Sequence, residues 1–297
     1  MALRIALMSL LGLTLAARSI AAPPPSPEKG EKSDEKKLAS FGTAPLVAKG
    51  AESCPSDMVE VEGDYCPTVE QICTQFVKGQ EKRDRCIEYR PTARCYGKPE
   101  RRHFCIDRYE FPNLRGLKPV VGVTWEESRD FCGAIGKRLC KDREWTLACE
   151  GQERFPYPYG FKRDSQACNI DREYIMPNND AYGDPKLRAA EIARVDQRDN
   201  SGARESCRSP FGVQDMTGNV DEWVQNEKGT IKETPYVSGL KGGYWGPVRN
   251  RCRPMTTDHN IWHSGYQIGF RCCGEVGRTS GPRPLLQANG AGIKQAR

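Results

Sequence analysis

The residues of this 297-residue chain best placed to do chemistry are its fourteen cysteines, all of which lie between Cys54 and Cys273. Only three histidines accompany them, so zinc sites built from Cys and His are poorly supplied. An even cysteine count suits a disulfide framework; reactive or metal-binding thiols are the sharper alternative. His259 and His263 have the i, i+4 spacing that would share a helix face, but Asn260 and the Trp262-His-Ser-Gly265 run point to a loop. His103 sits beside Arg101 and Arg102 and reads as part of a solvated basic face. The stretch Asp215-Met-Thr-Gly218-Asn-Val220-Asp-Glu222 gathers three acids around a glycine, which is either a turn with solvated carboxylates or an oxygen-rich cation site.

These residues have to be held by elements, and composition limits which ones. A net charge of +6 spread evenly along the chain is too thin for a nucleic-acid binder, so no nucleic-acid partner is expected. The first 21 residues read as a signal peptide: Arg4, an apolar run from Ile5 to Ala16, then small residues around Ser19-Ile20-Ala21. That run is too short to span a bilayer, and no other stretch comes near the apolar length that does. The expected location is therefore periplasmic or extracellular, where disulfides persist. Residues 22–52, rich in Pro, Lys and Glu, read as a flexible linker, and 275–297 as an unstructured tail. Residues 53–274 form the single folded block, expected as a monomer.

Within it, regular signals are few. Val120–Thr124 reads as a short strand. Thr124-Trp-Glu-Glu127 is a capping box that opens a helix to Ile135, stopped by Gly136. A second helix is predicted from Asp142 to Cys149, closed by Gly151. Beyond Gly160, turn residues and short apolar pieces predict irregular structure pinned by disulfides.

Four segments, in order, carry a resemblance. Phe104-Cys-Ile-Asp-Arg-Tyr-Glu110, the run from Val121 to Trp145, the run from Phe211 to Trp223 with its Asp-Met-x-Gly-Asn-Val core, and Gly242-Gly243-Tyr244-Trp245 followed by Gly269-Phe270-Arg271-Cys272 are similar to the motifs of the sulfatase-modifying-factor family. Its best-known member is the formylglycine-generating enzyme. The resemblance implies an α+β fold that is irregular, low in regular secondary structure and distantly like C-type lectins.

It also implies calcium, and, in the enzyme, a thiol pair holding copper as Cu(I) while a sulfatase cysteine is oxidised; soft thiolates suit that ion. Here the first thiol position is Pro247, and the serine that follows Gly-Gly in the enzyme is Tyr244. Counted from Gly243, Cys252 matches the second thiol. Counted back from Cys272, it matches a structural cysteine that pairs with Cys149. The second count accounts for both residues and is preferred. The same resemblance pairs Cys132 with Cys272.

The copper-dependent oxidase remains the alternative, with Cys252 and Cys273 as its thiols. Among the other cysteines, Cys66 with Cys73, Cys86 with Cys95 and Cys168 with Cys207 are short-range candidates. For calcium, the resemblance implies Asp215, the carbonyls of Gly218 and Val220, and Glu222, with Asn169 and Ile170 opening a second site. The expected role is a calcium-stabilised binding module for a peptide, glycan or envelope protein, with a groove rimmed by Tyr244, Trp245, His259, His263 and Tyr266.

Overall fold

The computed structural model describes residues 53–79 and 85–278. The expected signal peptide, the whole of the expected linker and most of the expected tail lie outside these residues. The described chain runs past the predicted boundary at 275, where Arg138 Nε donates to Glu275 at 2.8 Å.

The chain opens with β1 (Met58–Tyr65), whose inward residues alternate with exposed ones as a half-buried strand requires. Three short strands follow, β2 (Thr68–Glu70), β3 (Cys73–Phe76) and β4 (Cys86–Tyr89), then β5 (Arg94–Tyr96) and the long β6 (Glu100–Asp107). β6 pairs antiparallel with β1 along its whole length, from Met58 opposite Asp107 to Tyr65 opposite Glu100. Phe104, Cys105 and Ile106 at its buried end start the core.

Helix α1 (Trp125–Ala134) begins as predicted. The Thr124 hydroxyl accepts from the Glu127 N–H, and Glu127 accepts from the Thr124 N–H in return. The segment before it is not the predicted strand. Gly122 adopts φ +78, and its N–H donates to the Gly265 and Ile268 carbonyls instead of to a ladder.

After the two-residue β7 (Arg138–Leu139) comes α2 (Asp142–Glu150), closed by Gly151 at φ +67. Two short helices, α3 (Asn179–Gly183) and α4 (Arg188–Val195), occupy a region where no helix is evident in the sequence. The remaining strands are β8 (Asp221–Gln225), β9 (Ser238–Lys241), β10 (Met255–Thr256), β11 (Ile268–Phe270) and β12 (Cys272–Gly274).

Two four-stranded sheets result, in the orders β1-β6-β12-β7 and β10-β9-β8-β11. One apolar cluster joins β1 and β6 to Trp145 and Leu147 of α2; a second collects Phe111, Phe131 and Phe270. Phe111 stacks on Phe270 at 4.5 Å between ring centroids. Two tryptophans of the sequence motifs are buried with their indole N–H groups satisfied, Trp125 on the Val224 carbonyl and Trp223 on that of Val123.

All fourteen cysteines are bridged. The pairs are Cys54–Cys105, Cys66–Cys95, Cys73–Cys86, Cys132–Cys272, Cys140–Cys273, Cys149–Cys252 and Cys168–Cys207. The short-range candidates Cys66–Cys73 and Cys86–Cys95 are incorrect. Strand pairing decides otherwise: β3 runs antiparallel to β4 and sets Phe76 opposite Cys86, while β2 runs against β5 and sets Val69 opposite Cys95.

Candidate functional site

The Gly242-Gly243 turn follows β9 and adopts φ +87 and +72, conformations that favour glycine. A Cβ on Gly242 would lie 2.8 Å from the Met216 carbonyl and 3.2 Å from the Trp145 ring, so the turn is held tight against the second helix. Beside it opens a pocket of about 490 Å³. Its wall is built from the turn, the loop 247–254, β10 and the residue just before β4; Arg85, Asp221, Pro247, Arg249 and Arg251 line it.

The loop is braced from below. Arg163 is held by Asp171 through Nε at 2.7 Å and Nη2 at 2.8 Å, and Nη2 also donates to the Val248 carbonyl and Asn250 Oδ1. Arg85 donates to the same Asp171 at 2.7 Å, and its Nε is buried with no hydrogen-bond partner among the described residues. Arg249 is exposed and donates to the Thr256 hydroxyl at 3.1 Å. The Arg251 guanidinium lies 5.6 Å from the centre of the Tyr89 ring, and burial pulls its pKa down to about 10. Asp221 accepts from the Gly243 N–H at 3.0 Å; burial pushes its carboxyl up to about 7, against the pull of that N–H and of Arg249.

The thiols offered for copper are both elsewhere engaged. Cys252 is bonded to Cys149 and Cys273 to Cys140, and Pro247 stands in the pocket wall. Two half-cystines in separate bridges present no thiolate for Cu(I), which corrects the oxidase assignment of Cys252 and Cys273.

The residues expected around calcium sit in one buried polar network. Glu222 accepts from Arg271 Nη2 at 2.6 Å and Nε at 2.7 Å, and from the Trp145 indole at 2.7 Å. Asp215, at φ +59, accepts from the Gly202 N–H at 2.7 Å; burial raises its carboxyl to about 6. Glu110, which sequence reasoning missed, accepts from Ser201 and Asn219; burial and the nearby carboxylates of Asp215 and Glu222 raise its pKa well above the ordinary range.

Three buried carboxyls thus share the single guanidinium of Arg271. Hard oxygens in excess of local positive charge are what a divalent cation takes. Yet Glu222 is already bound by Arg271, and among the described residues no three His, Cys, Asp or Glu side chains are clustered to hold a metal ion. A site here would rest on Asp215 and the main-chain carbonyls of Gly218 and Val220. The second set does not fit. Arg172 Nε donates to Asn169 Oδ1 at 2.9 Å, and the Asn169 carbonyl accepts from the Asn219 N–H, so a protein cation already holds that side chain; Ile170 beside it packs as core.

The aromatic groove is not assembled as expected. Trp245 is 2% exposed and packs edge-on against Tyr244 and close to Tyr266, so it belongs to the interior rather than to a rim. Tyr244 and Tyr266 are half-buried and meet edge-on, with ring centroids 6.3 Å apart. His259 and His263 do come together, ring on ring at 4.0 Å, with His263 against Trp223. Burial and the neighbouring His259 lower the His263 pKa.

None of these five residues lines the pocket. The arginines that do were also missed. The run Arg249-Asn-Arg251-Cys-Arg253 was the available signal, although Arg253 leaves the pocket to pair with Glu150.

An α+β domain with two four-stranded sheets, laced with disulfides around a Gly-Gly turn, defines a class. The family model described as "Sulfatase-modifying factor enzyme 1-like domain" matches residues 98–276, more than half of the chain, and the chain belongs to that family. It is 28% identical over 170 residues to "Inactive C-alpha-formylglycine-generating enzyme 2" of Bos taurus, covering 55% of this chain and 52% of that one. To the "Formylglycine-generating enzyme" of Mus musculus it is 23% identical over 163 residues, covering 53% of this chain and 39% of that one. The chain therefore spans about half the length of the cattle relative and less of the mouse one. Among solved structures, PvdO from Pseudomonas aeruginosa aligns with a TM-score of 0.46 at 17% identity, covering 73% of this chain and 94% of that one.

Proposed function

We propose that this chain is an exported binding module of its family that has left the oxidase chemistry, with the pocket beside Gly242-Gly243 as its binding surface for a peptide, glycan or envelope-protein ligand. The observation that carries the reading is the Cys149–Cys252 bridge with Pro247 in the pocket wall: the place where two thiols would be needed holds a ring and a disulfide. A cattle relative bearing the word "inactive" in its name is in keeping with such a change. Seven bridges suit a periplasmic or extracellular setting, and among the described residues no helix is long and apolar enough to cross a membrane.

Calcium enters this reading as a stabiliser held by Asp215 and the Gly218 and Val220 carbonyls. It would supply positive charge to a core where three carboxyls share one arginine.

The test is oxygen consumption by the oxidised, full-length protein with Cu(I) and a cysteine-containing peptide. The expected result is no turnover above a copper-only blank. Aldehyde formed in proportion to enzyme concentration would restore the oxidase and overturn the reading.

A further inference from the structure

A second pocket, of about 430 Å³, shares no lining residue with the one beside the Gly-Gly turn. Arg108, just past the end of β6, lines it together with Arg115 and with Glu205, Arg208, Gly212 and Gln214 from the loop ahead of β8.

These pieces of chain are fixed to one another. The Gln214 N–H donates to the Arg108 carbonyl at 2.9 Å, and the buried Arg271 donates to the carbonyls of both residues. Arg208 stands opposite Gln214 in an antiparallel bridge, which puts their side chains on the same face. Its neighbour Cys207 is bonded to Cys168. Between the two bridged residues the chain turns tightly, with the Gly212 N–H on the Ser209 carbonyl at 2.8 Å and Gly212 at φ +92.

On this frame two guanidinium groups converge. A Cβ on Gly212 would lie 3.1 Å from Arg208 Nη2 and 3.7 Å from Arg108 Nη1, so both groups border the space that the glycine leaves open. Arg108 donates from Nη1 to the Gly212 carbonyl at 3.3 Å. The exposed Arg208 side chain makes no ion pair or hydrogen bond among the described residues. Glu205, the acid in the described lining, is already held by Arg115 at 3.0 Å. Like charges brought this close repel, and an anion between them turns repulsion into attraction. Gln214 adds a second need: its Oε1 is buried with no hydrogen-bond partner among the described residues, and a ligand hydroxyl would satisfy it.

We propose that this pocket binds a phosphate group, with Arg108 and Arg208 on its oxygens and Gln214 accepting from a hydroxyl of the phosphate or its carrier. A phosphate carries about −1.5 to −2 at pH 7 and offers three strong acceptor oxygens. Two converging guanidinium forks match it better than they match a carboxylate, which has one charge and two oxygens. The cavity has room for a small carrier as well as for the bare ion, so the source is either free phosphate or a small phosphate monoester.

The test is calorimetry on the full oxidised chain with inorganic phosphate and with glycerol 3-phosphate, each compared with glycerate, a carboxylate counterpart. At least one phosphate probe should bind roughly tenfold or more tighter than glycerate, with affinity falling as salt rises. Affinity for inorganic phosphate equal to or above that for the ester identifies free phosphate as the source, and a tighter ester identifies a monoester. Arg208→Glu, at an exposed position with no partner to lose, should weaken binding at least about tenfold. Arg208→Lys keeps the charge without the fork and should fall in between. Arg94→Glu, the same charge change at an exposed arginine of β5 outside the pocket, should leave binding intact.

No binding of either phosphate probe, glycerate bound as tightly as both, or equal affinity in Arg208→Glu and the unchanged protein overturns the proposal. So does equal weakening by Arg208→Glu and Arg94→Glu. None of these outcomes touches the binding-module reading, which fails only if the copper assay shows turnover.

Discussion

Replacing Arg271 by methionine would test how the buried polar network is held. The guanidinium is fully buried, and its forked contact with Glu222 is the counter-charge for a carboxylate that is itself 1% exposed. It also donates to the carbonyls of Asp107, Arg108 and Gln214 at 3.2, 3.4 and 3.0 Å. Removing one member of such a pair strands a charge inside the protein, at a cost of about 3–5 kcal/mol. Against a total stability of roughly 5–15 kcal/mol, this is a large fraction.

Urea unfolding of the oxidised Arg271→Met protein in chelator should show the unfolding free energy falling by that amount, through a lower midpoint with little change in slope. Arg271→Lys keeps the charge but loses the fork and should fall in between. Added calcium should return part of the loss, because Glu222 is then free to join Asp215 and the Gly218 and Val220 carbonyls as a ligand. A loss under about 1 kcal/mol for Arg271→Met would refute the reasoning, since the pair would then carry no net weight in the core.

Three further outcomes are expected. Alkylation before reduction, followed by peptide mapping, should find no reactive thiol, and the double variant Cys149→Ser, Cys252→Ser should lower stability by about 2–5 kcal/mol on urea unfolding. Burial opposes ionisation of Asp196, but Arg198 and Lys118 outweigh it and hold the carboxyl at about 2. A folded-state pKa below the unfolded value contributes stability that is present above the ordinary carboxylate range and is lost as pH falls from about 4 towards 2; Asp196→Asn should flatten that part of the acid unfolding profile. Gly242→Ala would put a methyl against the Met216 carbonyl at a positive φ and should lower the melting temperature by an amount equivalent to about 1–3 kcal/mol.

What the sequence made legible were features set by neighbours along the chain. The Thr124–Glu127 capping box and the glycines at 136 and 151 fix their helices through contacts within a few residues, and the structure keeps them. The strand predicted at Val120–Thr124 fails because Gly122 turns its N–H towards Gly265 and Ile268, partners far away in sequence. Bridge pairing divides the same way: nearness in sequence misassigned Cys66 and Cys86, because two strand pairings brought more distant cysteines together. The pocket was least legible of all, since Arg85 and Arg249 meet only after the whole intervening chain has folded. Trp245 shows the opposite limit, an aromatic that sequence alone cannot assign to a rim or a core and that packing placed inside.

The seven bridges fall into two sets that never connect. Cys54–Cys105 encloses Cys66–Cys95, which encloses Cys73–Cys86. The other four all lie between Cys132 and Cys273. No covalent cross-link joins the halves, so one backbone cut between 108 and 131 would leave two chemically separate pieces held by the ladder of β6 with β12 and by core packing. In oxidative folding the first set can close independently of the second, so the bridges can form in two instalments. The antiparallel docking of β12 on β6 is then the step that converts two stapled halves into one domain.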